Sequence, residues 1–186
     1  MPSSHLFQVS KIVELISILV PQSVLDIGFG FGKYGFLCRE YLELWDGRNN
    51  YSDWQRRIDG IEVHREYVTD LQRLIYNNIY IGEANDLLGK LDIKYDLMLL
   101  IDVLEHFSTD QGKQFISDSL SHCKNILIST PKEVIEQGDI FDNKFEQHKS
   151  QWDRPLLRNF GPCVFVDDIY SYICFIGEDI KTIQNG

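Results

Sequence analysis

The sequence predicts an α/β domain in which a doubly wound, mostly parallel seven-stranded sheet carries helices on both faces. Two observations lead to this fold class. Between residues 23 and 131, short apolar runs of strand length alternate with segments of helix length, which is typical of right-handed strand–helix–strand crossovers. Near the C-terminus, two further apolar runs are separated by a short connection containing Asp167 and Asp168. That connection permits a hairpin but no crossover, so we expect an antiparallel terminal strand.

The elements at the start of the chain follow from local patterns. Residues 1–22 contain the first helix, at 9–20, where apolar residues recur at helical spacing until a proline. Residues 23–27 form an apolar run that stops at a glycine, as a buried parallel strand would. A helix is expected at 33–44, and the polar segment 48–55 is typical of a surface insertion.

The same alternation continues through the middle of the chain and stops at Pro131. Residues 132–160 are expected to form an acceptor-side loop that ends in a short helix. The remaining predicted strands are 58–63, 79–81, 95–101, 125–129, 163–166 and 170–176, and the remaining predicted helices are 66–76, 85–91, 109–122 and 154–160.

Composition indicates an ordinary globular protein. The chain has 186 residues, of which 44% are hydrophobic and 25% are charged, and we expect a single domain spanning 1–186. With 18 basic and 28 acidic residues, the net charge is −10. This acidity disfavours duplex nucleic acid as a partner, because a phosphate backbone requires a basic surface.

We expect a cytoplasmic protein that does not bind membranes. The first apolar run, at residues 12–20, begins late, contains Glu14, and is shorter than the ~20 residues that span a bilayer. The four cysteines show no CxxC spacing, which is typical of free thiols in a reducing compartment.

The densest functional signal is the sequence DIGFGFG at 26–32, between the first strand and its helix. Glycines at alternate positions let the backbone turn sharply and approach a ligand closely. A dinucleotide motif GxGxxG can be drawn through Gly30, Gly32 and Gly35, which would indicate an NAD(P)-dependent oxidoreductase. In that motif, however, the first glycine follows the strand directly and an acid comes ~20 residues later. Here the strand ends at Gly28, and the acid Glu62 lies further on.

A second interpretation uses four segments in order. They are the DxGxGxG loop, the acid Glu62 closing the second strand, Gly-Glu-Ala at 82–84 after the third strand, and DLMLLIDVLEH at 96–106. Over residues 20–131 the chain resembles class I S-adenosylmethionine-dependent methyltransferases, whose fold also has a terminal antiparallel strand. The resemblance implies a Rossmann-like methyltransferase fold and S-adenosylmethionine as cofactor. It also implies in-line transfer of the methyl group to a small-molecule acceptor, at oxygen or carbon.

The resemblance further implies a set of cofactor-binding residues. The loop glycines would line the methionine moiety, Asp26 would orient the loop, and Glu62 would accept both ribose hydroxyls, a bidentate task that suits a carboxylate. Phe29 would stack on the ligand or pack in the core. The full predicted set is Asp26, Gly28, Phe29, Gly30, Gly32, Glu62, Val63, Glu83, Ala84, Asn85, Asp102 and Val103.

The last residues of this set follow the third and fourth predicted strands. Glu83 and Ala84 occupy the positions that contact the adenine edge. The family more often has Asp than Glu there, so Asn85 or Asp86 is an alternative contact. Asp102 and the valine after it would close over the methionine moiety or border the acceptor pocket.

His148 and His106 are the candidate catalytic residues. In such enzymes a histidine and an aromatic residue of this loop, here His148 and Trp152, often face the acceptor. An imidazole can serve as a general base near neutral pH, and an exposed loop histidine is the alternative interpretation. His106 follows the fourth strand and would touch substrate or only complete a strand–helix junction. No tight cluster of His, Asp and Glu is visible in the sequence, so no metal is expected.

Two features bear on the acceptor and on partners. No N/D/S-P-P-Y motif follows the fourth strand, and this disfavours N-methylation of nucleic acids. The short C-terminal portion leaves little material to cover an acceptor. A non-catalytic S-adenosylmethionine-binding partner subunit therefore stays open as an alternative, as does a homodimer.

Overall fold

In the computed structural model, which describes residues 4–133, 138–139 and 143–186, seven strands form one sheet. Their bounds in chain order are Ser23–Ile27 (β1), Arg57–Glu62 (β2), Asn78–Ile81 (β3), Tyr95–Ile101 (β4), Cys123–Pro131 (β5), Cys163–Val166 (β6) and Ser171–Gly177 (β7). The order across the sheet is β3-β2-β1-β4-β5-β7-β6.

The strand directions confirm the predicted fold class. All neighbouring pairs from β3 to β5 are parallel, whereas β7 pairs antiparallel with both β5 and β6. The antiparallel strand is thus the last one in the chain but lies inside the sheet, because β6 takes the edge. The chain leaves β1 toward β2 and β3 on one side and returns to β4 on the other. This reversal opens a crevice at the carboxyl ends of β1 and β4, where ligands of such sheets bind.

Helices cover both faces of the sheet. Side chains of α1, α2, α3 and α7 pack into one buried cluster, and those of α4, α5 and α6 into the other. No helix in the described part of the chain is long and apolar enough to cross a membrane. The bounds are Leu6–Leu19 (α1), Lys33–Arg39 (α2), Asp70–Ile75 (α3), Ala84–Leu87 (α4), Thr109–His122 (α5), Arg154–Arg158 (α6) and Ile180–Asn185 (α7).

Several predicted boundaries differ from the observed ones for local reasons. The segment 33–44, predicted as one helix, consists of α2 followed by a π-helical turn, Glu40–Leu44. The predicted helix 66–76 is divided, because Thr69 forms a capping box with Gln72 and starts α3 afresh. β5 includes Pro131, which pairs with Ser171 of β7 instead of stopping the strand earlier.

The helix α7 was not predicted. It is a single short element whose buried residue Ile183 joins the cluster formed with α1. The polar segment 48–55 is exposed at its tip, as expected, but its C-terminal end is held by a buried side chain. The buried carboxylate of Glu43 accepts hydrogen bonds from the backbone N–H groups of Gln55 (2.9 Å) and Arg56 (2.6 Å).

Candidate functional site

A cavity of about 1090 Å³ opens at the carboxyl ends of β1, β2 and β4. Pockets for one small ligand usually measure ~300–1,000 Å³, so this cavity is as large as the largest of them. Its lining includes every predicted site residue except Gly32 and Asn85. The predicted residues that line it are Asp26, Gly28, Phe29, Gly30, Glu62, Val63, Glu83, Ala84, Asp102, Val103, His106 and His148.

The glycine-rich loop owes its path to left-handed backbone conformations. Gly28 has a φ of +61°, and a Cβ added there would lie 3.0 Å from Cγ2 of Val103. The absence of a side chain therefore lets Val103, just after β4, pack closely against the loop. Gly32, with a φ of +82°, instead faces Gln72 and Tyr76 beside α3. It shapes the turn into α2 and does not contact the cavity.

Glu62 is buried at the end of β2, and both of its carboxylate oxygens are held by the backbone. The N–H of Gly30 donates to Oε2 and the N–H of His64 donates to Oε1, each at 2.9 Å. Burial raises the pKa of Glu62, and these two hydrogen bonds oppose that rise. The carboxylate is thus locked against the loop, and its remaining lone pairs are available to hydroxyl donors in the cavity.

Asp26 lies under the same loop and is also buried. The hydroxyl of Tyr76 donates to Asp26 Oδ2 at 2.7 Å. Burial raises the pKa of Asp26 to about 7, the hydrogen bond from Tyr76 opposes this, and the charge of Glu62 adds to it. Asp26 therefore supports the loop from below as well as lining the cavity.

The wall beyond β3 is formed by the start of α4. Glu83 is exposed, Ala84 is buried, and both line the cavity. Asn85 is exposed on the first turn of α4 and lies outside the lining. The backbone thus carries Asn85 away from the position that the resemblance assigned to it as an alternative contact.

Asp102 follows β4 in a left-handed conformation, with a φ of +54°. Its Oδ2 accepts a 2.6 Å hydrogen bond from Nε2 of Gln8, a fully buried residue of α1. Burial raises the pKa of Asp102, and the hydrogen bond from Gln8 lowers it. Ser129 also hydrogen-bonds to Gln8. Sequence reasoning missed this role of α1, because a single glutamine on a helix carries no motif.

A buried carboxylate and two imidazoles meet in the cavity lining, just beyond the end of β4. One ligand atom from each of Glu105, His106 and His148 lies within 4.8 Å of the others. The ring centroids of the two histidines are 5.0 Å apart. The expectation that no tight cluster exists is therefore wrong, since the fold brings together residues that are far apart in the chain.

The surroundings of this cluster shift two of its pKa values. Burial lowers the pKa of His106 to about 4, so its imidazole is neutral at neutral pH. Burial also raises the pKa of Glu105 well above its usual range, and the nearby charge of Asp102 adds to that rise. The hydroxyl of Thr130 donates to Glu105 Oε2 at 3.2 Å.

Trp152 does not face the acceptor, contrary to the expectation for this loop. It is fully buried, and its Nε1–H donates to the carbonyl of Leu104 (3.1 Å) and to Ser150 Oγ (2.9 Å). Its ring packs so closely on α5 that a Cβ added at Gly112 would lie 2.4 Å from Trp152 Cζ2. The tryptophan therefore anchors the loop that carries His148.

A further group that the sequence did not reveal lines the cavity beside β2. The hydroxyl of Tyr67 donates to Glu146 Oε1 at 3.1 Å, and Glu146 is buried. Asn143 caps the 3₁₀ turn Lys144–Glu146 by accepting from the N–H of Phe145 at 3.0 Å. An asparagine three residues before a glutamate is a capping pattern, which predicts the turn. It does not predict that Glu146 lines the cavity.

Comparisons in sequence find no match, whereas comparisons of structure find proteins of similar fold. No family model and no curated protein matches the chain. A methyltransferase from Archaeoglobus fulgidus, described as SAM-dependent, matches with a TM-score of 0.61 at 16% identity, over 91% of this chain and 92% of that one. The magnesium protoporphyrin IX methyltransferase of Synechocystis, solved with bound SAH, matches with a TM-score of 0.59 at 16% identity, over 90% of this chain and 80% of that one.

Another similar structure is longer than this chain. An O-methyltransferase family protein from Burkholderia thailandensis matches with a TM-score of 0.60 at 13% identity, over 89% of this chain but 55% of that one. The chain thus spans about half the length of that protein. At such identities the likeness concerns the fold. The chain has the fold of the class I S-adenosylmethionine-dependent methyltransferases.

Proposed function

We propose that this protein is an S-adenosylmethionine-dependent methyltransferase that acts on a small-molecule acceptor, at oxygen or carbon. The observation that carries the proposal is the buried carboxylate of Glu62. It is held by the N–H groups of Gly30 and His64 at the edge of the cavity, next to a glycine-rich loop. A carboxylate in this place suits the two ribose hydroxyls of the cofactor.

The residues around Glu62 fit the rest of the cofactor. Gly28 lines the cavity without a side chain, at the point where the loop packs against Val103. We assign the methionine moiety to this part of the cavity, with Asp102 beside it, and the adenine to the wall formed by Glu83 and Ala84. The cofactor supplies an electrophilic methyl group, so the main task of the protein is to position the acceptor in line with it.

The other half of the cavity would take the acceptor. Phe31, Ile169 and Tyr170 form an exposed apolar rim on the cavity lining, which fits an organic acceptor with an apolar part. His148 and His106 also line the cavity. Because His106 has a pKa of about 4, it holds a proton poorly at neutral pH. If the acceptor must lose a proton, we assign the role of general base to His148, whose ring lies 5.0 Å from that of His106.

Calorimetric titration with S-adenosylmethionine tests the proposal directly. We expect the wild type to bind one equivalent and Glu62→Gln to bind roughly tenfold to a hundredfold more weakly, the usual worth of a hydrogen bond to a charged group. Glu66→Gln is the matched control, because it removes the same charge from a side chain that is 73% exposed and lies outside the cavity lining. It should bind like the wild type.

Two outcomes would contradict the proposal. The first is no binding of S-adenosylmethionine by the wild type, and the second is undiminished binding by Glu62→Gln. The same titration with NAD and NADP separates the oxidoreductase alternative, which requires a nicotinamide cofactor to bind and S-adenosylmethionine to fail.

A further inference from the structure

The cluster of Glu105, His106 and His148 has the chemistry of a metal site. Two imidazole nitrogens and one carboxylate oxygen are a recurrent donor set for Zn²⁺ and for Fe²⁺. Bonds of 2.0–2.2 Å place tetrahedral ligand atoms about 3.4 Å apart. The three donor atoms already lie within 4.8 Å of one another, so small side-chain rotations would close the site.

Hydrogen bonds around the cluster orient its ligands. Nδ1 of His106 lies 3.2 Å from the carbonyl oxygen of Gln147. If Nδ1–H donates to that carbonyl, Nε2 keeps its lone pair, which is the usual arrangement of a metal-bound histidine. The backbone N–H groups of Lys149 and Ser150 donate to the carbonyl of Glu105, at 2.7 and 3.1 Å. The segment carrying His148 is therefore tied to the segment carrying the other two ligands.

A second observation concerns the surroundings of the Glu105 side chain. Glu105 is only 3% exposed, yet among the described residues it takes part in no ion pair. A buried carboxylate without a cation is costly, and burial of a paired one costs less. A bound cation would supply the partner that the described side chains do not.

We propose that Glu105, His106 and His148 bind one divalent transition-metal ion, with an open coordination position toward the cavity. Three protein ligands leave such a position for water or for substrate. Because Glu105 and both histidines line the cavity assigned to the acceptor, the ion faces the acceptor's reactive end.

The role of the ion in catalysis rests on the proposed function. A hydroxyl oxygen of the acceptor would enter the open position, where the ion lowers its pKa. Its proton leaves to solvent, the oxygen forms a bond to the methyl carbon, and the bond from that carbon to the sulfonium sulfur breaks. This narrows the acceptor to a compound with a metal-binding hydroxyl, and it makes both imidazoles ligands instead of general bases.

Titration of the chelator-treated full chain with Co²⁺, followed by visible absorption, tests the site without any turnover. We expect one equivalent to bind, with the strong bands of a low-coordinate ion. Loss of a ligand that orients a metal indirectly costs 10–100-fold in affinity, so His148→Ala should weaken binding on the order of a hundredfold or more. His122→Ala is the control, because that imidazole lies at the end of α5, where it hydrogen-bonds to the carbonyl of Asp118. It should bind Co²⁺ like the wild type.

Two results would overturn the metal site. One is the absence of stoichiometric binding by the wild type. The other is undiminished binding by His148→Ala, with a thiolate-to-metal charge-transfer band if the ion sits on a cysteine. The melting temperature of each variant establishes that it is folded.

Titration of the same samples with S-adenosylhomocysteine separates this proposal from the previous one. Failure of cofactor binding would contradict the proposed function while leaving metal binding intact. Failure of Co²⁺ binding with normal cofactor affinity would contradict only the metal site.

Discussion

Replacement of Asp26 by asparagine isolates the cost of a buried carboxylate under the glycine-rich loop. Asparagine has nearly the same shape, and its carbonyl can accept the hydrogen bond that Tyr76 donates to Asp26 at 2.7 Å. The substitution therefore removes a titrating group with little change in packing. Its effect on stability should depend on pH in a way that a purely steric effect would not.

The magnitude follows from the pKa of Asp26, which burial raises from 3.8 to about 7. Between these two values, folded wild-type protein keeps a proton that the unfolded chain has lost. Its free energy of unfolding then falls as pH rises, by about 1.4 kcal/mol per pH unit for this one group. From pH 5 to pH 7 the fall attributable to Asp26 is about 2 kcal/mol, because the slope is already halved where pH equals the folded pKa. The stabilisation is complete below pH 3.8 and is lost once pH passes about 7.

Asp26→Asn cannot titrate and escapes this loss. Near pH 5 we expect the variant and the wild type to be similarly stable, because a protonated carboxyl resembles an amide. By pH 8 the variant should be more stable by about 3 kcal/mol. Urea-induced unfolding of ligand-free protein at pH 5, 6, 7 and 8 measures the difference, with Asp92→Asn, an exposed aspartate, as the control.

Two results would refute the reasoning. A difference between Asp26→Asn and wild type that stays constant with pH would show that Asp26 does not titrate in this range. A variant that becomes relatively less stable as pH rises would show that the ionised carboxylate is favoured in the fold. The Asp92→Asn control should give no pH-dependent difference of this kind.

Two further substitutions test packing, one in the glycine-rich loop and one at the buried Trp152. Gly28→Ala, which places a Cβ at a φ of +61° and 3.0 Å from Val103 Cγ2, should lower the free energy of unfolding in urea by about 1–2 kcal/mol. Adding Val103→Ala should recover only the contact part, and wild-type stability of Gly28→Ala would contradict this account. Trp152→Phe removes the donor to Leu104 and should cost about 2–3 kcal/mol in thermal unfolding. An unchanged melting temperature would place Trp152 outside the core.

The features that could be predicted from the sequence are those that depend on short, contiguous patterns. The strand at 23–27, the turn that follows it and Glu62 at the end of β2 each depend on a few neighbouring residues. The apolar run marks the strand end, and parallel strands bring their carboxyl ends to one edge. Their positions in the cavity therefore follow from fold class alone, and the structure places them there.

The parts that sequence could not predict depend on packing between distant segments. Gln8 reaches Asp102 only because α1 lies against the end of β4. His148 lies next to His106 because the loop that carries it is anchored by Trp152, which is buried against α5. A tryptophan in a polar loop can equally well face a ligand or the core. The orientation of Trp152 depends on the space left by Gly112 of α5, and the sequence around Trp152 contains no sign of that space.

The buried acids of the cavity connect the cofactor proposal with the metal proposal. Asp26, Glu62, Asp102 and Glu105 lie at or just after strand ends, and burial raises the pKa of each. A raised pKa means that the site disfavours negative charge while it contains no cation. A ligand that brings positive charge would offset that penalty. A sulfonium near Asp26 and a divalent ion at Glu105 would each meet this condition at a different end of the same cavity.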